Sequence, residues 1–341
     1  MPDVSVLMSV FNGERYLRQA VDSILNQTFT NFEFIIVDDG SADSTWDNLS
    51  EYASHDRRIV LIRNEKNIGL TKSLNKGMRI AQGKYIARQD ADDISLADRL
   101  ERQAEFLDNH TDVVIVGSDC YTMDENGNHT GTYLYPKSDT EIRWLMLFQC
   151  NFAHPSVMLR ADVLAQNGLR YDNKAVHAQD YELWSRLLSY GKGRNLSPPL
   201  VKLRIHADRI SQTKASQQKA LANSIAQSNV ELFGFHISKA DVTIIRNFTK
   251  RLLPRSLTRR NMELCRVLLQ ILRTFENLPQ VDPVIARRIR RRWVSRLMDG
   301  VTKQNLGAFL TSRLAREILR CEPRVVARHL ANVGTRRISR S

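Results

Sequence analysis

The feature that most constrains this chain is a rhythm in its first 119 residues. Five short runs rich in β-branched and aromatic residues ("VSVLMSV", "FEFIIVDD", "IVLIRN", "KYIARQD" and "DVVIVGSD") alternate with stretches whose apolar residues recur at helical spacing. Between the first two runs, Tyr16, Leu17, Ala20, Ile24 and Leu25 mark one side of a helix. A second helix is expected from Ser44 to about Ala53, and a fourth in "LADRLERQAEFLDNH". The third is expected through "NIGLTKSLNKGMRIAQG", with Leu70, Leu74, Met78 and Ile80 on one side and Gly83 as its stop. Strands that alternate with helices imply an α/β fold, a mostly parallel central sheet with flanking helices. In such sheets ligands bind beyond the carboxyl ends of the strands.

Two of those ends are acidic. Asp38 and Asp39 follow "FIIV", and Asp90, Asp92 and Asp93 follow "KYIAR". Carboxylates at that density repel one another unless water or a cation intervenes. One acidic triplet is a weak signal, and Asp93 could do no more than cap the next helix. Two clusters at equivalent strand ends point instead to a pocket. Carboxylate oxygens suit Mg²⁺ or Mn²⁺, ions that leave positions open for water and phosphate oxygens. The expected cofactor is therefore a divalent metal, and one way to use it is to hold a diphosphate.

The stretch "VSVLMSVFNGERYLRQAVDSILNQTFTNFEFIIVDDGSADST" resembles the opening of the family 2 inverting glycosyltransferases, of the bacterial polysaccharide-biosynthesis type. "NIGLTKSLNKG", "GKYIARQDADD", "NFAHPSVMLR" and "AQDYELWSRL" follow in that family's order, so the resemblance covers residues 3 to about 210. It implies the GT-A fold, with a Rossmann-like sheet. It also implies transfer of a sugar, with inversion, from a nucleotide-diphosphate sugar to the hydroxyl of a saccharide or lipid-linked saccharide, with UDP as the default nucleotide. In that family the DxD aspartates hold the nucleotide through a divalent metal, and a later carboxylate deprotonates the acceptor.

Carried over residue by residue, Asp39, with Asp38 beside it, falls where the family hydrogen-bonds a uracil-type base, and Ser9 matches a small hydroxyl near that base. Asn67 shapes the loop into the third helix. Asp90 and Asp92 match the two ends of the DxD as metal ligands, Asp90 alternatively reaching the ribose, and Arg88 is placed to pair with phosphate. Asp180 matches the catalytic base, with Gln179 standing where the family commonly has Glu. A helix start would hold such a carboxylate rigidly, so a capping role and catalysis are compatible. His206 and His154 are candidate helpers, and Trp184 lies one helical turn beyond Asp180.

Beyond residue 210 the reading changes. The expected division is a GT-A domain over 1–210 and a helical, basic extension over 211–341. Residues 247–341 hold 22 Lys and Arg against 6 Asp and Glu, a net of +16 within a chain total of +13. The basicity therefore belongs to the extension. In "PVIARRIRRRWVSRLMDG" five arginines within six positions (287, 288, 290, 291 and 292) precede Trp293, Val294 and Leu297, the pattern of a basic amphipathic helix able to lie on an anionic membrane surface. A solvated helix packing its apolar side on protein is the competing reading. A nucleic-acid partner would explain the basic tail but not the acidic strand ends. A nucleotidyltransferase would usually carry a Gly-rich phosphate loop where this chain has "SVFNGERY". A silent, scaffolding relative is at odds with intact Asp92 and Asp180. The four cysteines are scattered, the N-terminus lacks a basic leader with an apolar run, and no run of eighteen apolar residues occurs. The expected location is the cytoplasm, with peripheral attachment to the inner face of the membrane.

Overall fold

A computed structural model describes residues 1–207, 209, 213–249, 258–302 and 305–335. The chain divides into two compact units, Met1–Ile142 with Cys150–Ala222, and Arg143–Gln149 with the residues from Asn223 onward. The division thus lies past residue 210, and a short internal segment joins the second unit.

The first unit opens as the rhythm requires: β1 (Val4–Val10), α1 (Glu14–Leu25), β2 (Phe32–Asp38), α2 (Thr45–His55), β3 (Ile59–Arg63), α3 (Leu70–Met78) and β4 (Tyr85–Gln89). It continues with β5 (Ile94–Ser95), α4 (Arg99–Asn109), β6 (Val113–Met123), β7 (His129–Tyr133), α5 (Asp139–Met146), β8 (Met158–Arg160), α6 (Ala161–Gln166), α7 (Gln179–Leu187) and β9 (Lys192–Arg204). Among the described residues these strands form one sheet in the order β3-β2-β1-β4-β8-β6-β9-β5, with β7 pairing β6. Pairing is parallel from β3 to β4 and between β6 and β9. It is antiparallel where β8 inserts between β4 and β6. The fold is an α/β sheet with flanking helices, as the rhythm predicts.

Every residue of β1 is buried, as expected for a strand covered on both faces. Val4, Val6, Met8 and Val10 pack with Leu17, Val21 and Ile24 of α1 and with Leu100 and Leu107 of α4. On the other face α3 comes close enough that a Cβ on Gly77 would lie 2.3 Å from Leu7 Cδ1. The third helix is shorter than its periodicity suggests. It ends at Met78, and Ile80 is 40% exposed. Gly83 is not a helix stop: its N–H donates to Ser5 Oγ at 2.8 Å, and a Cβ there would lie 2.4 Å from Ser5 N. Glycine permits that close passage beside β1.

The second unit is helical, with most of α8 (Ala215–Glu231), then α9 (Lys239–Thr249), α10 (Arg259–Glu276), α11 (Pro283–Asp299), α12 (Leu306–Thr311), α13 (Arg313–Cys321) and α14 (Pro323–Thr335). Asp282 caps α11 by accepting from Val284 N at 2.8 Å and Ile285 N at 3.1 Å, with Pro283 in the first turn. Trp293, Val294 and Leu297 lie in the core with Leu268, Leu272 and Phe275 of α10. The apolar side of α11 is thus buried within its own unit, as the competing reading of a helix packed on protein expects. Arg287, Arg288, Arg291 and Arg292 are exposed, Arg291 also reaching Glu322 at 3.4 Å, and the more buried Arg290 pairs with Glu276 and Glu322. Among the described residues no helix is long and apolar enough to cross a membrane.

Candidate active site

The carboxyl ends of β1, β2 and β4 lie side by side because the three strands are neighbours in parallel register. At the end of β2, Asp38 and Asp39 are both buried. Asp38 accepts from Ser41 N at 3.2 Å and pairs with Arg63 Nε at 3.3 Å. Asp39 Oδ1 accepts from Asn64 Nδ2 and Ile68 N, each at 2.9 Å, and its Oδ2 accepts from Gly69 N at 2.8 Å. Asp39 therefore organises the loop between β3 and α3. Asn67 is exposed in that loop, next to Ile68, whose N–H Asp39 accepts, and Ser9, buried near the end of β1, pairs across the sheet with Val37. Gly40 has φ +75°, and a Cβ there would meet Lys66 C at 2.6 Å, so the turn and the loop fit only around glycine.

At the end of β4 the aspartates separate into three roles. Asp90, 29% exposed, bonds the Arg88 guanidinium. Burial disfavours its charge, but the nearby guanidinium prevails and holds the carboxyl below its usual range. Asp93 is buried and accepts from Arg204 N at 2.7 Å; burial, then the charges of Asp92 and Asp90, push it well up. It does not cap a helix, since Asp98 occupies that position ahead of α4. Asp92, 31% exposed, lies 2.9 Å from His206 Nε2. The short ladder between β5 and β9 explains this meeting, because Ser95 pairs Val201 and Ile94 pairs Lys202. It brings the end of β9 against the acidic loop. Arg204 then ties the loop down, donating from Nε to Asp92 O at 3.0 Å.

Two buried arginines beside this loop differ. Arg99 places all five N–H donors on acceptors: Gln103, Gln89, Ser95, and the carbonyls of Arg88 and Val157. Burial lowers its pKa to about 9. Arg88 is 1% exposed, yet its Nε and Nη1 have no hydrogen-bond partner among the described residues. An orphaned buried guanidinium edge costs desolvation energy that a hydrogen-bond acceptor would recover.

The late residues complete the cluster. Asn75 of α3 exchanges two bonds with the Tyr171 backbone, at 2.8 and 3.0 Å, and so fixes the loop ahead of α7. Tyr171 OH lies 2.9 Å from His154 Nε2, and both rings lie against Trp184, which is fully buried. Burial, reinforced by Arg88, pushes His154 down to about 3, so it is a neutral imidazole at ordinary pH. Asp180 sits in the first turn of α7; its Oδ1 accepts from Tyr181 N at 2.8 Å and its Oδ2 from the Cys150 thiol at 3.7 Å. Burial raises its pKa, the direction a base needs in order to gain proton affinity near neutrality.

Asp92 and His206 were each suspected from sequence, and they do meet. Among the described residues no three His, Cys, Asp or Glu side chains gather around one point. The 2.9 Å between Asp92 Oδ2 and His206 Nε2 is close to the roughly 3 Å separating adjacent ligands in an octahedral shell with bonds near 2.1 Å. A carboxylate and an imidazole fit Mn²⁺ in type, with phosphate oxygens and water as the remaining ligands. Tyr171, Cys150 and Arg99 escaped the sequence reading; a lone tyrosine, cysteine or arginine carries no local signal.

The model of the family "Glycosyl transferase family 2" matches residues 5–168. The chain is 40% identical over 191 residues to an uncharacterized glycosyltransferase of Methanocaldococcus jannaschii, a match covering 55% of this chain and 65% of that protein. It is 34% identical over 224 residues to the O-antigen biosynthesis glycosyltransferase WbnJ of Escherichia coli, covering 64% of this chain and 84% of WbnJ. With the Escherichia coli UDP-Glc:alpha-D-GlcNAc-diphosphoundecaprenol beta-1,3-glucosyltransferase WfaP, identity is 32% over 229 residues, 67% of this chain and 84% of WfaP. Among solved structures, S. aureus TarS residues 1–349 in complex with UDP superimposes with TM-score 0.54 at 16% identity, covering 98% of this chain and 89% of that one. The mannosyltransferase PcManGT of Pyrobaculum calidifontis, in complex with GDP-Man and Mn²⁺, gives TM-score 0.51 at 14% identity, covering 98% of this chain and 88% of PcManGT.

Proposed function

The chain belongs to glycosyl transferase family 2, and on that premise we propose that it transfers a sugar from a nucleotide-diphosphate sugar, UDP-linked by preference, to a saccharide or lipid-linked acceptor, with inversion, in the assembly of a cell-surface polysaccharide or glycolipid. The observation that carries this reading is the junction at the end of β4. There the unsatisfied edge of Arg88, the Arg88–Asp90 pair, the Asp92–His206 pair and the buried base candidate Asp180 belong to one compact unit of the fold. Two relatives support the setting, one in O-antigen biosynthesis and one using UDP-Glc on a diphosphoundecaprenol-linked sugar.

In this reading Asp39, Ser9 and the loop carrying Asn67 form the base end of the donor site, and Asp38 braces the turn through Ser41. Arg88 offers its free N–H edge to donor oxygens, and Asp90, oriented by Arg88, takes ribose or sugar hydroxyls. Asp92 and His206 would hold a divalent ion, which supplies neutralising charge for the departing diphosphate. Asp180 removes the acceptor proton. The acceptor oxygen then bonds the anomeric carbon from the side opposite the diphosphate, whose oxygen leaves with the electron pair. The proton ends on Asp180. His154, neutral and bonded to Tyr171, shapes the wall between donor and base rather than moving protons. The division into a GT-A unit and a helical unit assigns the chemistry to the first and leaves the exposed arginines of α11 for an anionic membrane surface.

The test is a calorimetric titration with UDP. Wild-type protein should bind in Mn²⁺ and lose affinity in EDTA, and Asp92→Ala should lose tenfold or more, about 1.4 kcal/mol. Equal affinity in Mn²⁺ and EDTA would remove the metal from the reading.

A further inference from the structure

Cys150 is a half-buried thiol with one proton and two acceptors. Its Sγ lies 3.7 Å from Asp180 Oδ2 and 3.5 Å from the carbonyl oxygen of Phe152. A single S–H cannot serve both fully. The two oxygens of Asp180 are also unequal: Oδ1 takes the Tyr181 main-chain N–H at 2.8 Å, whereas Oδ2 takes the long thiol contact. A thiol is a weak donor, so Oδ2 is held in place yet stays the more basic oxygen.

We propose that Cys150 is a positioning residue for the base: its thiol holds Asp180 Oδ2 toward the acceptor and turns to the Phe152 carbonyl when the acceptor proton arrives. No bond to sulfur forms or breaks; the proton moves from acceptor oxygen to Oδ2, and the S–H only rotates. The electrostatics agree with the geometry. Burial and the Asp180 charge push the Cys150 thiol well up, so it stays a donor. The same contact opposes the burial that raises Asp180. The chemistry of sulfur is what matters here. A hydroxyl would bind the carboxylate more tightly and blunt its basicity, and a methyl group would leave Oδ2 without a partner.

The proposal rests on Asp180 being the base, and the experiment separates the two. UDP release is followed from pH 4.5 to 9 in Mn²⁺ with the fastest member of a panel of UDP-glucose, UDP-galactose and UDP-GlcNAc, water serving as acceptor. Cys150→Ala should move the acid limb of kcat/KM to higher pH, with about a threefold loss below the limb and recovery above it. Cys150→Ser should move the limb to lower pH and reduce the plateau severalfold. Donor KM should hold in both. A residue that merely fills space would not shift the limb in opposite directions for two small replacements. Limbs that superimpose on wild type in both variants, with Asp180→Asn inactive, overturn the role of Cys150 while leaving the base in place. An active Asp180→Asn overturns the base, and the proposal with it.

Discussion

Two arginines show how the halves of this molecule treat charge. In the helical unit Arg290 is 17% exposed at its side chain and meets two carboxylates, Glu276 and Glu322, the latter at 3.0 Å. At the end of β4, Arg88 is 2% exposed at its side chain and meets one, Asp90, with two of its nitrogens left without partners among the described residues. Folding alone explains the first arrangement, since a buried cation is tolerable when it is paired and hydrogen-bonded. It does not explain the second. On the proposed function, the difference separates charge that holds structure from charge that waits for a ligand. The predictions below test that separation, beginning with the group whose failure would cost most.

Asp180→Asn should reduce turnover by roughly 10² or more, the usual scale for a general base, while the fold and UDP affinity hold. The amide keeps the shape and the bond from Tyr181 N but cannot take a proton. For the wild-type enzyme the sign with pH is fixed. A base works ionised, and burial raises the Asp180 pKa, so kcat/KM should fall as pH drops through a limb above the ordinary aspartate range. His154, pushed down to about 3, should add no limb near pH 6.5. A rate profile flat down to pH 4 would contradict the assignment.

The two arginines themselves come next. Arg290→Met strands Glu276 and weakens the anchoring of Glu322. It should cost about 2 kcal/mol in urea denaturation, below the 3–5 kcal/mol of a fully buried pair because water reaches the site, and it should leave UDP affinity alone. Arg88→Lys should do the reverse. Lysine keeps a cation beside Asp90 but loses the Nε and Nη1 donors, so UDP-sugar affinity in Mn²⁺ should fall about tenfold, ~1.4 kcal/mol, with little change in stability. If Arg88→Lys destabilises the protein and spares affinity, the contrast between the two arginines collapses.

The same contrast explains what the sequence could reveal. Periodicity is a local property, so β1 through β4 and the acidic strand ends were legible from runs of a few residues. The insertion of β8 between β4 and β6 was not, because it depends on pairings such as Ile86 with Leu159. Ile80 continued the apolar stripe of α3, but the helix ended at Met78 and left it exposed. Asp92 and His206 were each suspected, yet only the pairing of β5 with β9 makes them neighbours. Cys150 and Tyr171 reach the site through contacts distant in sequence, and neither forms a motif with its own neighbours. The amphipathic pattern of α11 is legible in the sequence, but a pattern does not say what covers its apolar side; the core around Trp293 does.

That burial sharpens the last and smallest prediction. With Trp293 and Leu297 committed to the core, the apolar side of α11 is closed to lipid, and attraction of this helix to a membrane rests on its exposed arginines. Such attraction is worth about 1 kcal/mol for each arginine near an anionic surface and fades as salt shortens the Debye length. Arg292→Gln should therefore weaken sedimentation with phosphatidylserine liposomes about fivefold at low salt, the equivalent of ~1 kcal/mol. Adding Arg287→Gln should weaken it by a similar factor again. Both variants should release UDP from a soluble donor at the wild-type rate, since neither residue belongs to the unit that carries Asp92 and Asp180. Wild-type binding that persists in 0.5 M salt would mean that an apolar group, not α11, holds the protein to lipid. Absence of binding at low salt would leave the arginine face as a surface for a protein partner or for solvent alone.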